Sequence, residues 1–158
     1  PPPLPRRARG ARIAVGLAWQ AGEWDRRRSL PIDDLHPLLD RPGVDPCMLQ
    51  RGAARLAAPP GLADIGADDP LAAASVMTSL DLVISVDSMP AHLAGALGIP
   101  VWLLLARDAD WRWMEGRADS PWYPSMHLFR QHRPGDWSGV VADVVARLSA
   151  GSGCRTLP

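Results

Sequence analysis

Residues 82–105 read Leu82-Val83-Ile84-Ser85-Val86-Asp87-Ser88-Met89-Pro90-Ala91-His92-Leu93-Ala94-Gly95-Ala96-Leu97-Gly98-Ile99-Pro100-Val101-Trp102-Leu103-Leu104-Leu105. Leu82 to Val86 is a short apolar run, the pattern of a strand buried on both faces. Asp87 and Ser88 follow at its carboxyl edge. Pro90 then opens a helix that runs to Leu97, because a first-turn proline gives up no hydrogen bond. Gly98 and Pro100 end that helix. Val101 to Leu105 is a second all-apolar strand. Strand, helix and strand in this order predict parallel pairing.

The same alternation extends outward in both directions. Ile13 to Trp19 predicts a buried strand, and Gln20 to Ser29 a polar loop holding three consecutive arginines. Pro31 to Leu39 predicts a helix with Ser29 as a cap, Asp33 and Asp34 at its positive end, and Pro37 distorting it. Pro46 to Gln50 is a weak strand, Arg51 to Pro60 a loop, and Leu62 to Ile65 a short strand. Asp69 to Leu80 predicts a helix, with Leu71, Ala74, Met77 and Leu80 on one side. Met126 to Arg130 closes the set of strands. Trp137 to Leu148 is the last helix, with Val140, Val141, Val144, Val145 and Leu148 inward. The fold class expected is α/β: a Rossmann-like, doubly wound parallel sheet. Such sheets bind ligands at the carboxyl ends of their strands.

The chain has 158 residues, enough for one domain with a substantial core. Residues 1–12 read as a Pro/Arg-rich linker, residues 13–148 as the globular domain and residues 149–158 as an unstructured tail. The absence of an initiating methionine suggests a piece of a longer protein. Net charge is zero, so no global field favours nucleic acid or an anionic membrane. No apolar run reaches membrane-spanning length. Cys47 and Cys154 lack metal-ligand spacing and read as free thiols in a reducing, cytoplasmic setting. All cationic side chains other than histidine are arginine, alongside abundant Ala, Gly and Pro, which fits GC-rich codon usage. The choice of Arg at any one position therefore carries little meaning.

Three constellations carry possible chemistry. The first is Asp87, Ser88 and Met89 with His92, where a helix N-terminus meets a strand edge and favours an anion. The bland alternative is that Asp87 and Ser88 are caps and His92 an ordinary surface histidine. The second is Arg26-Arg27-Arg28-Ser29 after the first strand, within reach of the same crevice. Arg28 is the preferred anion ligand, with Ser29 beside it; the alternative is a solvated basic loop. The third is the aromatic segment holding Trp102, Trp111, Trp113, Trp122, Tyr123 and Trp137. Aromatic rings stack on bases and sugars, but core packing is the commoner use. Trp111 follows a central strand and is the best ligand candidate of the six. Arg51 could contact phosphate or merely sit in its loop. Glu115, Asp119, His127 and His132 have no visible partners, and Asp108 with Asp110 lacks the surroundings of a metal-binding pair. No metal cluster and no cofactor motif is present.

The run Asp-Ser-x-x-x-His-Leu-Ala-Gly-Ala-Leu-Gly-x-Pro-Val-Trp, from Asp87 to Trp102, resembles the C-terminal domain of family-nine glycosyltransferases, the bacterial heptosyltransferases. It is closer still to the related domain that follows tetratricopeptide repeats in many bacterial proteins. Supporting pieces are Val15-Gly16-Leu17-Ala18-Trp19, Arg27-Arg28-Ser29-Leu30-Pro31, Leu49-Gln50-Arg51-Gly52, Leu80-Asp81-Leu82-Val83-Ile84 and Asp119-Ser120-Pro121-Trp122-Tyr123-Pro124. The resemblance spans Ile13 to Leu148. It implies the C-terminal half of a GT-B fold, which binds a nucleotide-diphosphate sugar. The donor diphosphate would face Ser88, Met89 and Pro90, with Asp87 near the donor sugar or ribose and His92 on the same edge. Arg51 stands where the family often shows a lysine. The catalytic base belongs to a missing N-terminal acceptor domain, so this chain would hold donor without efficient transfer. The alternative it leaves is a non-catalytic nucleotide- or carbohydrate-binding module in a repeat-bearing scaffold. An unrelated flavodoxin-type binder lacks support, because no Gly-rich loop follows the first strand.

Overall fold

The computed structural model describes residues 12–22 and 24–153, the last three as backbone only. Six strands carry the fold: β1 (Ile13–Ala18), β2 (Val44–Met48), β3 (Ala63–Asp64), β4 (Leu82–Val86), β5 (Val101–Leu105) and β6 (Met126–Arg130). All pair in parallel, in the order β3-β2-β1-β4-β5-β6. The helices are α1 (His36–Leu39), α2 (Pro70–Met77), α3 (Met89–Ala96) and α4 (Trp137–Gly153). This is the doubly wound, Rossmann-like sheet that the sequence predicts. β1 and β4 are neighbours, and the chain leaves them toward opposite edges, so the topological switch point lies between their carboxyl ends.

The strands alternate between two cores. Leu82, Ile84 and Val86 face one side, with Val140, Val141, Val144 and Leu148 of α4 and Leu38 of α1. Val83, Val101, Leu103 and Leu105 face the other, with Met77 of α2 and Ala91 and Ala94 of α3. α4 earns its place through one stripe, since Trp137, Val140, Val141, Val144 and Leu148 recur at helical spacing and are all buried. α3 ends in a Schellman motif: Ile99 N–H donates to Ala94 O at 3.0 Å and Gly98 N–H to Gly95 O at 3.1 Å. Gly98 has φ +73°, a conformation that glycine adopts without strain.

Several boundaries shift for physical reasons. Ser29 does not cap the Pro31–Leu39 segment; its Oγ accepts from Ala21 N at 3.1 Å and closes the loop after β1. That segment splits into a 3-10 turn, Ile32–Leu35, and the short α1, with Pro37 in its first turn. The second strand is Val44–Met48, with Cys47 inside it. Burial, and then Asp45, push the Cys47 thiol up to about 11, so it is a poor nucleophile. α2 begins as predicted, Asp69 accepting from Ala72 N at 2.8 Å. It stops at Met77, where Thr78 and Ser79 hydroxyls bond back to Ser75 and Val76 carbonyls. Leu71 is 81% exposed rather than inward; Ala73 and Met77 are the buried residues of the helix, and Met77 packs with the sheet. α4 runs to Gly153, past the predicted start of a tail at residue 149. Ser149 Oγ bonds Val145 O at 2.8 Å and also accepts from Arg41, which fastens that turn. Apart from Arg12, the predicted linker, with the tail beyond Gly153 and Cys154, lies outside the described residues.

Gly95 lets α3 approach the β5–β6 connection. A Cβ there would meet the Tyr123 ring at 2.7 Å and 2.9 Å. Gly95→Ala gains about 1 kcal/mol of helix propensity but overpacks by about 1–3 kcal/mol. The expected net loss, at most about 2 kcal/mol, is readable by urea denaturation. A gain in stability would show that Tyr123 moves aside freely.

Candidate functional site

The site sits on the carboxyl edge of the sheet, around the start of α3. Asp87 caps β4 and is only 3% exposed. Arg28, from a 3-10 turn in the loop after β1, reaches it with Nη2–Oδ2 at 2.8 Å and also donates to the Asp87 carbonyl. Trp24 lies under the same guanidinium, 4.7 Å from its carbon to the ring centre. His92, one turn into α3, sets Nε2 at 3.3 Å from Asp87 Oδ1. The Trp113 indole N–H interacts with the same carboxylate, short of full hydrogen-bond geometry. Burial alone would raise the Asp87 pKa. The polar contacts with His92 and Trp113, with the Arg28 charge, outweigh that and hold it below its ordinary value.

These contacts change the predicted roles. Arg28 does not stand free to meet an external anion, because its charge is met by Asp87. Asp87 is a buried hub that holds Arg28 and His92. Ser88 is the N-cap residue of α3, but its side chain makes no cap bond and lies 3.0 Å from Ser85 Oγ. The helix end is narrower than the sequence suggests. Ala91 and His92 N–H groups both donate to Ser88 O, and Pro90 has none, leaving Met89 N–H at the mouth.

Between the loops after β1, β2 and β4 lies a crevice of about 290 Å³, lined by Gln20–Gly22, Gln50–Ala54 and Ser88–Pro90. It is the switch-point crevice of the topology. Its wall is fixed by Gln50, a buried amide the sequence reading passed over. Gln50 Oε1 accepts from Trp19 N at 3.0 Å and Gln20 N at 2.9 Å, while Nε2 donates to Gln20 O and Arg51 O, each at 3.2 Å. A polar side chain directly after a strand was the available signal. Arg51 lines this crevice, with its guanidinium on Asp68 (Nε–Oδ1 3.5 Å). Ser29 lines a neighbouring hollow with Gln20–Gly22 and Arg26. Trp111 lies on the other side of the α3 start, in a hollow with His92, Arg112, Trp122 and Tyr123.

The aromatic segment divides cleanly. Trp102, Trp113 and Trp137 are core, whereas Trp111 and Trp122 are exposed. Asp110 caps the turn Trp111–Trp113 and holds Arg112 at 3.0 Å. Asp119 pairs with Arg117 at 2.7 Å and His132 with Asp143 at 3.4 Å, partners that sequence alone did not show. Among the described residues no group of three or more His, Cys, Asp or Glu side chains could hold a metal ion, and no helix is long and apolar enough to cross a membrane.

A Rossmann-like sheet with its crevice at the β1/β4 switch point belongs to the class of folds that bind nucleotides at that edge. No protein-family profile matches the chain. It is similar to protein FlbA of Caulobacter vibrioides (strain ATCC 19089 / CIP 103742 / CB 15), 30% identical over 151 residues, which covers 85% of this chain and 24% of FlbA. Its fold is similar to the crystal structure of a glycosyl transferase family 9 protein from Veillonella parvula DSM 2008. The TM-score is 0.57 at 14% identity, covering 89% of this chain and 45% of that one. The chain thus spans about a quarter of the first relative and less than half of the second.

Proposed function

We propose that the chain is the donor-binding half of a GT-B glycosyltransferase, moving a sugar from a nucleotide diphosphate to an acceptor hydroxyl. The observation that carries the reading is the switch-point crevice, bounded by the α3 N-terminus, Ser88 and Arg51, with no carboxylate among its described lining residues. An anion entering it meets Met89 N–H, the Ser88 hydroxyl and the positive end of α3. Arg51 supplies charge if its pair with Asp68 opens. Arg28 acts one step back, holding Asp87 and the loop after β1 against the start of α3. On this reading the catalytic base comes from the acceptor-binding half of a GT-B fold. A second reading is a non-catalytic nucleotide- or carbohydrate-binding module in a repeat-bearing scaffold. Transfer activity of the intact parent separates the two. The reading carries a reducing, cytoplasmic setting, in keeping with the unpaired Cys47.

Thermal shift against ADP-, UDP-, GDP- and CDP-sugars tests donor binding. Ligand at 100 times its dissociation constant stabilises by about 2.7 kcal/mol, which for this size raises Tm by about 5–11 °C. No shift with any of the four sinks the donor-site assignment.

A further inference from the structure

Beside the start of α3 the chain builds a second hollow, about 280 Å³, from His92, Trp111, Arg112, Trp122 and Tyr123. That volume sits at the small end for ligand sites, the size for one ring rather than a dinucleotide. Trp111 is 75% exposed and Trp122 52%, and their planes meet at 88° with centroids 6.5 Å apart. The corner is fixed rather than loose. Trp122 Nε1 donates to Arg112 O at 2.8 Å, and Asp110 holds the Arg112 guanidinium. Two exposed indoles at a fixed right angle make the kind of apolar patch that marks an interaction site.

The polar side of the corner is also set. His92 stacks on buried Trp113, with centroids 5.4 Å apart and planes 28° apart. His92 Nε2 lies 3.3 Å from Asp87 Oδ1, and its Nδ1 lies 3.2 Å from the Tyr123 hydroxyl, so the ring is held between the two groups. Tyr123 Oη is left with lone pairs to accept from a ligand hydroxyl. A nucleobase is best held flat between parallel faces. A right-angled pair of indoles beside a hydroxyl acceptor suits a pyranose, whose C–H face covers one ring while its hydroxyls meet Tyr123.

We infer that this corner binds the pyranose ring of the transferred sugar. The placement as the donor's own sugar rests on the reading above. His92 and Met89 are three residues apart on α3, about 4.5 Å along its axis. The crevice at Met89 and the corner at His92 and Trp111 therefore flank the first turns of the same helix. Trp111 and Trp122 supply the stacking surface, and Tyr123 orients the hydroxyls.

The test titrates parent, Trp111→Ala and Trp122→Phe with four UDP, ADP, GDP and CDP ligands, their glucose conjugates, and methyl gluco-, galacto- and mannopyranosides. Indole fluorescence and calorimetry are the readouts. The expected results are tighter binding of one sugar conjugate than of its bare diphosphate, and quenching by a methyl pyranoside. Trp111→Ala should lose about tenfold for the conjugate, with no change for the diphosphate; Trp122→Phe keeps a ring and a smaller loss. If Trp111→Ala weakens the bare diphosphate equally, the corner is a base site and the inference fails while donor binding stands. The same holds if no conjugate beats its diphosphate and no methyl pyranoside binds. Quenching by a methyl pyranoside without any nucleotide binding keeps the corner as a sugar site and removes the donor reading. Binding of none of these ligands overturns both.

Discussion

Asp87→Ala is expected to cost about 3–5 kcal/mol, a large share of the 5–15 kcal/mol typical of a domain. Its carboxylate is 5% exposed and the Arg28 side chain 15%, so both charges have left water. Removing one strands the other, and the penalty is the desolvation of an unpaired guanidinium rather than the loss of one attraction. Arg28 Nε is already buried without a hydrogen-bond partner, so the group has little to fall back on. His92 and Trp113 lose their acceptor in the same step. The double variant Asp87→Ala/Arg28→Ala should therefore cost clearly less than the two single losses added together. Urea denaturation of the four proteins measures this. Strict additivity would mean that the pair contributes no coupling.

The same carboxylate sets a pH dependence. Its folded pKa lies below the ordinary 3.8. A depressed acid contributes stability that is fully present above the unfolded value and is lost as pH falls through the folded one. The parent should therefore weaken below about pH 4. Asp87→Asn should lack that increment of acid sensitivity while keeping the shape of the side chain. Asp25 and Asp119 are lowered too, chiefly by their hydrogen bonds with Arg27 and Arg117. They are common to both proteins, so the difference between the two curves isolates Asp87.

The sheet was legible because its strands are apolar on both faces and its helices carry periodic stripes. Leu82–Val86, Val101–Leu105 and Met126–Arg130 fall where the pattern puts them. Less legible were features settled by tertiary contact. Nothing local marks Leu71 as outward, since its face depends on where α2 meets the sheet. For the site, position was readable and role was not. Asp87, Ser88, Met89, His92 and Arg28 do converge on one helix end. That Asp87 would spend its charge on Arg28 depends on the chain folding back across a separation of 59 positions. The role of Gln50 and the contact of Tyr123 with His92 escaped for the same reason: each acts on a partner about 30 residues away. The spacing of a motif reports where polar groups gather, and only the packed chain tells which of them face the crevice.

Trp113→Ala is the other large effect, about 3–5 kcal/mol, and its neighbour supplies the control. Trp111 and Trp113 are two residues apart on the same 3-10 turn, and in sequence they look equivalent. Trp113 is fully buried, packed in the core with Met126, Leu128 and Ala94. Trp111 is 75% exposed. Truncating the first opens a cavity under the site and removes the ring on which His92 stacks. Truncating the second uncovers little, and should change stability by no more than about 0.5 kcal/mol. Any indole hydrogen bond to Asp87 goes with Trp113, so the cost should also depend on whether Asp87 is present. In an Asp87→Asn background the Trp113→Ala loss should shrink, because residues in contact are not additive. Urea denaturation with near-ultraviolet circular dichroism, which reports a packed indole, reads both variants. Equal losses at Trp111 and Trp113 would contradict the division between core and surface on which the sugar corner depends.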